Sequence, residues 1–357
     1  MKEQGVQEQG MREPGDGLKR PAYAEIEIGE ELGPLRATID DHYVRRYAYA
    51  VEDYLGWALH GDSPFGGRIA QAGVLIAPLL RLWNTRYDPN ADIGLHQKEE
   101  IWFESPVHIG EQVILRGEVT DKYIKRGKEY VVTEGTAYAV SENRPIVRHR
   151  ATEIVEMNSS IELGAGTASS DRAGATPADG RSMPADGGAT ASAASPGAVA
   201  AKTSTRRVRA DYPADAVPVP TATSQMPLGA PIAAPAKTIH QAQMSVYSNV
   251  EEFWRTSHTD LDTARRAGFE QTLAQALMGT MRIAELGTSL FEGSWFETGW
   301  ISVSYLKPIY SNDALDVKGV LVDRQSEGDG VRLEFEVWLE NQRSEKVSVG
   351  WMSAVAR

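Results

Sequence analysis

Six stretches of the chain alternate apolar and polar residues with the two-residue period of a strand that buries one face. Three come early: QVILRGEVTDKYI (112–124), KEYVVTEGTAYAVS (128–141) and RPIVRHRATEIVE (144–156). Three come late: ALDVKGVLVDR (314–324), VRLEFEVWLE (331–340) and EKVSVGWMSAVA (345–356). Turn residues separate them, namely Lys125-Arg126-Gly127, Glu142-Asn143, Gly328-Asp329-Gly330 and Asn341-Gln342. Ahead of each trio lies an apolar run compatible with a helix, IAQAGVLIAPLLRLW (69–83) and LAQALMGTMRIAELGTSLF (273–291). Both are too uniformly apolar for an exposed amphipathic helix. One buried helix followed by a meander of long antiparallel strands predicts a sheet wrapped round a central helix. The pattern predicts that architecture twice.

The two halves read as copies of one unit. Ile69-Ala70-Gln71-Ala72 recurs as Leu273-Ala274-Gln275-Ala276, 204 positions on. Phe103-Glu104-Ser105-Pro106-Val107 recurs as Tyr305-Leu306-Lys307-Pro308-Ile309, 202 positions on. Five residues after each proline stands an acid, Glu111 or Asp313, and then a glycine, Gly117 or Gly319. Constant order at nearly constant offset identifies an internal duplication.

Composition divides the chain. Residues 164–201 contain almost no large apolar or aromatic side chain and cannot offset the entropy of their own ordering. The reading is therefore a disordered N-terminus over 1–20, a domain over 21–157, a disordered Ala/Gly/Ser/Pro-rich linker over 158–239 and a second domain over 240–357. A flexible linker of that length spans about 50 Å, ample for the halves to pair with each other. A net charge of −12 argues against nucleic acid or anionic membrane as partners. Zero cysteines exclude disulfides, thiolate metal sites and a cysteine nucleophile. No apolar run has the length of a membrane span, and the N-terminus lacks the apolar core of a signal peptide. A cytoplasmic location is the resulting expectation.

Ser257-His258-Thr259-Asp260, then Ala264, Gly268-Phe269 and Leu273-Ala274-Gln275-Ala276, together with the aromatic-x-x-Pro-Val/Ile strand entry in both halves, carry a resemblance. They resemble the MaoC-like dehydratases and R-specific enoyl-CoA hydratases of the hotdog superfamily, here duplicated. The resemblance implies an α+β double hotdog, two sheets side by side with their buried helices adjacent. It implies a lyase that adds or removes water at the double bond of an acyl thioester, a CoA ester or another acyl thioester, with no cofactor and no metal. It also implies a homo-oligomer or a partner hotdog subunit. In the family an aspartate and a histidine five residues apart activate one water, and a backbone N–H at the start of the buried helix receives the thioester oxygen.

That dyad is split here. Asp53 occupies the aspartate position of the first half, but Ala58 occupies the histidine position. His258 occupies the histidine position of the second half, but Phe253 stands five residues before it. Three arrangements remain open. His60 could return to Asp53, His258 could use Glu251 or Glu252, or the chain could retain an acyl-thioester pocket without hydration. The candidate catalytic residues are thus His258, Asp53, His60 and Glu252, with the structural alternative of a solvated loop or helix cap. Substrate-binding candidates are Gly66, Gly67, Gln71, Gly73, Gln275 and Ala276. The glycines could equally be turns, and the two glutamines could tie backbone groups at the sheet–helix junction. Besides the hydratase, two functions fit the same cleft: a non-catalytic acyl-thioester binding or assembly subunit, and a hotdog thioesterase. Deletion of residues 164–201 is expected to leave the melting temperature essentially unchanged in a thermal scan, because that segment brings no core.

Overall fold

The structure, a computed structural model, describes residues 17–88, 94–155, 208, 210–213, 215–248 and 255–357. The expected disordered N-terminus up to residue 16, the linker over 158–207, and Glu251 and Glu252 lie outside the described residues.

Each of the six alternating stretches forms a strand, and each half adds two more. The first half runs β1 (Glu31–Thr38), α1 (Asp41–Val51), α2 (Gly56–Leu59), α3 (Ile76–Leu80), β2 (Leu95–Phe103), β3 (Gln112–Lys125), β4 (Lys128–Ala139) and β5 (Arg144–Ile154). The second runs β6 (Pro231–Thr238), α4 (Gln241–Tyr247), α5 (Leu261–Arg266), α6 (Ala276–Phe291), α7 (Gly293–Thr298), β7 (Trp300–Tyr305), β8 (Ala314–Glu327), β9 (Gly330–Asn341) and β10 (Lys346–Ala356). All ten strands join one sheet in the order β1-β3-β4-β5-β2-β7-β10-β9-β8-β6. This is the double hotdog the sequence implies, and its strand order reads the same from either edge.

The junction is the antiparallel pair β2–β7. Glu100 lies opposite Ser302, and these two residues are 202 positions apart, the offset of the duplication itself. A residue paired with its own counterpart marks the pseudo-twofold axis. Local bonds repeat on both sides of it. Ala70 N donates to Val107 O and Ala274 N to Ile309 O, both at 2.9 Å. The acids five residues past the prolines hold turns, since Glu111 accepts from His108 N at 3.0 Å and Asp313 from Tyr310 N at 2.9 Å.

Two expectations need correction. The buried helix is long only in the second half, where α6 has 16 residues. In the first half residues 76–80 make a short helix continued by a 3-10 turn over Arg81–Thr85. Pro78 is the cause. It is tolerated only in a first helical turn, so no helix can run from Ala70 through it. The linker is also shorter at its C-terminal end than 158–239. Tyr212 meets Trp338 edge to face at 6.5 Å, Ala210 N donates to Glu336 at 2.7 Å, and Pro231–Thr238 is the strand β6. β6 carries Pro231 and Pro235, which only an edge strand accepts, and its pairing with β8 breaks register between Ala234 and Lys237. The edge strand β1 does the same around Pro34.

Gly350 shows how tight the central strands are. A Cβ there would lie 2.0 Å from Ser302 O and 2.8 Å from Val303 Cα, both on β7. Gly350→Ala is expected to destabilise the protein by about 1–3 kcal/mol, the cost of overpacking against backbone that cannot move aside. Urea unfolding would measure it.

Candidate functional site

His258 sits where the loop before α5 meets the entry to α6. Leu273 N donates to Ser257 O at 3.0 Å, which fixes this loop against the residues leading into α6. The His258 ring packs at the same place, with Nδ1 2.8 Å from Leu273 O. A carbonyl can only accept, so Nδ1 carries the proton and Nε2 presents a lone pair. Burial holds the imidazole below its ordinary pKa, so it is neutral at physiological pH. Its own carbonyl accepts from Gln241 Nε2 at 2.9 Å. Asp260 is the cap of α5, accepting from Thr263 N at 2.8 Å. Gln275 is the N-cap residue of α6 and Ala276 its first residue. Gln275 Nε2 donates to Ser248 Oγ at 3.0 Å, so its amide ties α6 to the end of α4. The positive end of a 16-residue helix and a neutral imidazole base therefore share one locality.

Asp53 belongs to a different cluster, built across the pseudo-twofold axis. It is buried just past the end of α1, and burial, helped by the negative Glu285, lifts its carboxyl to about 7. The second half supplies its surroundings. Lys237 Nζ donates to Glu52 O at 2.6 Å and to Glu285 at 2.7 and 2.9 Å. Arg282 donates to Glu285 at 3.2 Å and to Pro235 O at 2.9 Å. Gln243 donates to Tyr49 O at 3.3 Å and to Glu52 Oε1 at 2.9 Å. Lys237 and Gln243 thereby cap the carbonyl end of α1, which Glu52 closes with a left-handed φ of 56°. Gln71 is fully buried and donates to Asp53 O at 2.9 Å.

Among the described residues no hydrogen bond or ion pair joins Asp53 to His258. Asp53 is acted on by Glu285, Lys237 and Arg282, whereas His258 is acted on by burial and by the Leu273 carbonyl. No carboxylate among the described residues bonds to His258. His60 does not return to Asp53 either. It is an exposed residue at the end of α2, its N–H donating to Gly56 O at 3.0 Å, with no hydrogen bond or ion pair to Asp53. Gly66 and Gly67 form an exposed turn at φ 77° and 70°, closed by Ser63 N donating to Gly67 O at 2.8 Å. A Cβ on either would meet nothing within 4 Å, so conformation alone accounts for these glycines. Gly73 is a close approach between the halves, since a Cβ there would lie 2.3 Å from Met281 Sδ and 2.5 Å from the Tyr47 hydroxyl.

Sequence reasoning passed over Lys237, Arg282 and Glu285, and also a second buried group near the junction. Glu99 on β2 is fully buried and lies 2.6 Å from His149 Nε2 and 3.2 Å from His96 Nε2. Burial opposes its ionisation, but the two imidazoles pull the Glu99 carboxyl down to about 2. Burial likewise opposes the charge on His96, yet Glu99 raises that ring to about 9. The counterpart of Glu99 in the second half is Ile301, so the duplication offered no hint of this cluster.

No family model matches the chain, and no curated protein sequence matches it. Solved structures do. A MaoC-like dehydratase superposes with a TM-score of 0.63 at 14% identity, covering 94% of this chain and 99% of its own. A putative MaoC domain dehydratase from Chloroflexus aurantiacus gives 0.61 at 12% identity, covering 94% and 97%. A Mycobacterium tuberculosis protein with a double hotdog fold, essential for survival during infection, gives 0.59 at 15%, covering 94% and 98%. These likenesses establish the fold over nearly the whole chain.

Asp53 carries a pH consequence. Its folded pKa of about 7 lies above the ordinary 3.8, so between those values the folded state holds a proton that the unfolded state has released. Stability therefore falls as pH rises through that window, by on the order of 4 kcal/mol in total. Asp53→Asn is expected to be more stable than wild type at pH 8 and to lose most of this dependence. Denaturant unfolding at pH 5 and pH 8 would show it.

Proposed function

We propose that the protein is a hotdog-fold hydratase or dehydratase acting on an acyl thioester, a CoA ester by family likeness. The observation that carries this reading is the 2.8 Å bond from His258 Nδ1 to Leu273 O, which leaves a neutral Nε2 base beside the N-terminus of α6. In hydration, Nε2 takes a proton from water as the water oxygen bonds to the β-carbon of the enoyl group. Electron density moves onto the thioester oxygen, which the opening amides of α6 stabilise, because a helix's first N–H groups have no acceptor within the helix. The imidazolium then returns the proton to the α-carbon. One O–H bond is broken, one C–O and one C–H bond are formed, and the base ends as it began. A single base suffices for this balance, which suits a chain whose family dyad is split. Dehydration is the reverse.

A second reading is favoured by the engagement of Asp53 with Glu285, Lys237 and Arg282. Under it the protein binds acyl thioesters or completes a partner subunit without turnover.

Hydration and hydrolysis of a panel of enoyl-CoA esters separate the two. His258→Ala is expected to lower kcat/KM for hydration about 10²–10⁴-fold with the circular dichroism spectrum unchanged. The wild-type rate is expected to fall in acid with a midpoint below the ordinary histidine value of 6.5, because burial depresses this ring. An effect below about threefold would remove His258 as the base. Binding without turnover would establish the second reading.

A further inference from the structure

His258 is held at three of its polar groups. Its N–H donates to Thr256 Oγ1 at 3.2 Å, its Nδ1–H to Leu273 O at 2.8 Å, and its carbonyl accepts from Gln241 Nε2 at 2.9 Å. Gln241 is the first residue of α4, so this last hold comes from a separate element. A carbonyl only accepts, so the amide nitrogen of Gln241 faces His258 O and its Oε1 is turned the other way. There the Thr272 hydroxyl donates to it. The same amide nitrogen also reaches Ser245 Oγ at 3.4 Å. Thr272 immediately precedes Leu273, so Gln241 bridges the segment that carries the ring and the segment that receives it.

The duplication repeats this grip at the same addresses with different chemistry. Asp41 opens α1 as Gln241 opens α4, 200 residues on. Arg68 corresponds to Thr272, since Ile109 N donates to Arg68 O and Ser311 N to Thr272 O, both at 3.1 Å. Ala58 corresponds to His258. In the first half Arg68 Nε donates to Ala58 O at 3.2 Å, and the guanidinium is held by Asp41 at 2.6 Å. One backbone carbonyl is therefore gripped in both halves. An ion pair does it where the residue is alanine, and an uncharged amide does it where the residue is histidine. A guanidinium at position 272 would stand near a ring that must accept a proton, and its charge would oppose that step. The second half grips without charge.

We propose that Gln241 is the positioning residue of the base. It fixes the His258 backbone so that the ring keeps its Nδ1–H on Leu273 O and presents Nε2 to the reacting water. The role rests on the hydratase reading, but the ring geometry it implies can be observed without turnover.

Gln241→Met keeps the length of the side chain and removes both bonds, whereas Thr272→Val removes only the donor to Oε1. Full-length protein labelled with ¹⁵N-histidine reports the His258 tautomer in two-bond ¹H–¹⁵N spectra at pH 8. The signal is assigned by its loss in His258→Ala. Wild type is expected to show the Nδ1–H form. Gln241→Met is expected to show a mixture of tautomers, and a kcat for enoyl-CoA hydration about 10–100-fold lower with KM within about threefold. Thr272→Val is expected to move both readouts the same way by less, and it decides by the same criteria if Gln241→Met does not fold. Arg68→Met opens the equivalent grip on Ala58. It is expected to lower stability in a urea titration while leaving the His258 tautomer and kcat as in wild type. An unchanged tautomer in the Gln241 variant, or a kcat within about threefold of wild type, would overturn the proposal. A wild type without turnover would defeat the hydratase reading instead, and the tautomer spectra would then decide the role of Gln241 alone.

Discussion

The antiparallel pairing of β2 with β7 is the constraint from which the rest of the molecule follows. A single hotdog sheet ends in an open edge whose amides and carbonyls demand partners. Here the two open edges satisfy each other, with Ile101 opposite Ile301 and Glu100 opposite Ser302. That register sets the axis, and the axis decides which side chains meet. Tight backbone spacing at Gly350 keeps β10 against β7, and the fully buried Trp295 fills the space beside Gly287 and Gly299. With the central strands locked in this way, α1 and α4 have one place to go, against each other.

Joining the halves also redistributes charge. The end of α1 is capped by Lys237 and Gln243 of the other half, so a helix in one copy is finished by the second. Asp53 is drawn into that capping cluster and loses contact with solvent. His258 packs at Leu273, whose carbonyl accepts from its ring, and burial keeps that ring neutral. Asp53 and His258 thus live in opposite electrostatic surroundings. One carboxyl is held near half-ionisation among charges, and one imidazole is held neutral by apolar burial.

Much of this was legible in the residues. The three-strand meanders, their turns and the duplication are written in period-two alternation and in motif offsets, signals that survive because each is local. Positive φ at Arg126, Asn143 and Gly328 falls where the turn residues placed it. The edge strands β1 and β6 were hidden for a local reason too, since Pro34, Pro231 and Pro235 read as breakers and are tolerated only because an edge strand has amides to spare. Pro78 was visible as well, yet the apolar run around it outweighed it in the reading. The helical run begins only at Ile76 because Pro78, in its first turn, forbids helix further upstream. Lys237, Arg282 and Glu285 could not be found from sequence as partners of Asp53. They lie more than 180 positions away, and nothing in spacing or pattern connects residues that only the axis brings together.

In a symmetric pair of identical subunits every substitution is made twice, once on each side, and a change useful at one site must be tolerable at the other. A chain that carries both copies is free of that rule. Pro78 could shorten one central helix while its counterpart, Arg282, stayed within a long one. Glu99 could be introduced beside two histidines while Ile301 kept the opposite wall apolar. Arg81 and Glu285 could take opposite signs at the same address. The sheet retains the twofold pattern because its hydrogen bonds require it. The side chains on its helix-covered face have been free to evolve separately, and there the molecule has become two different halves.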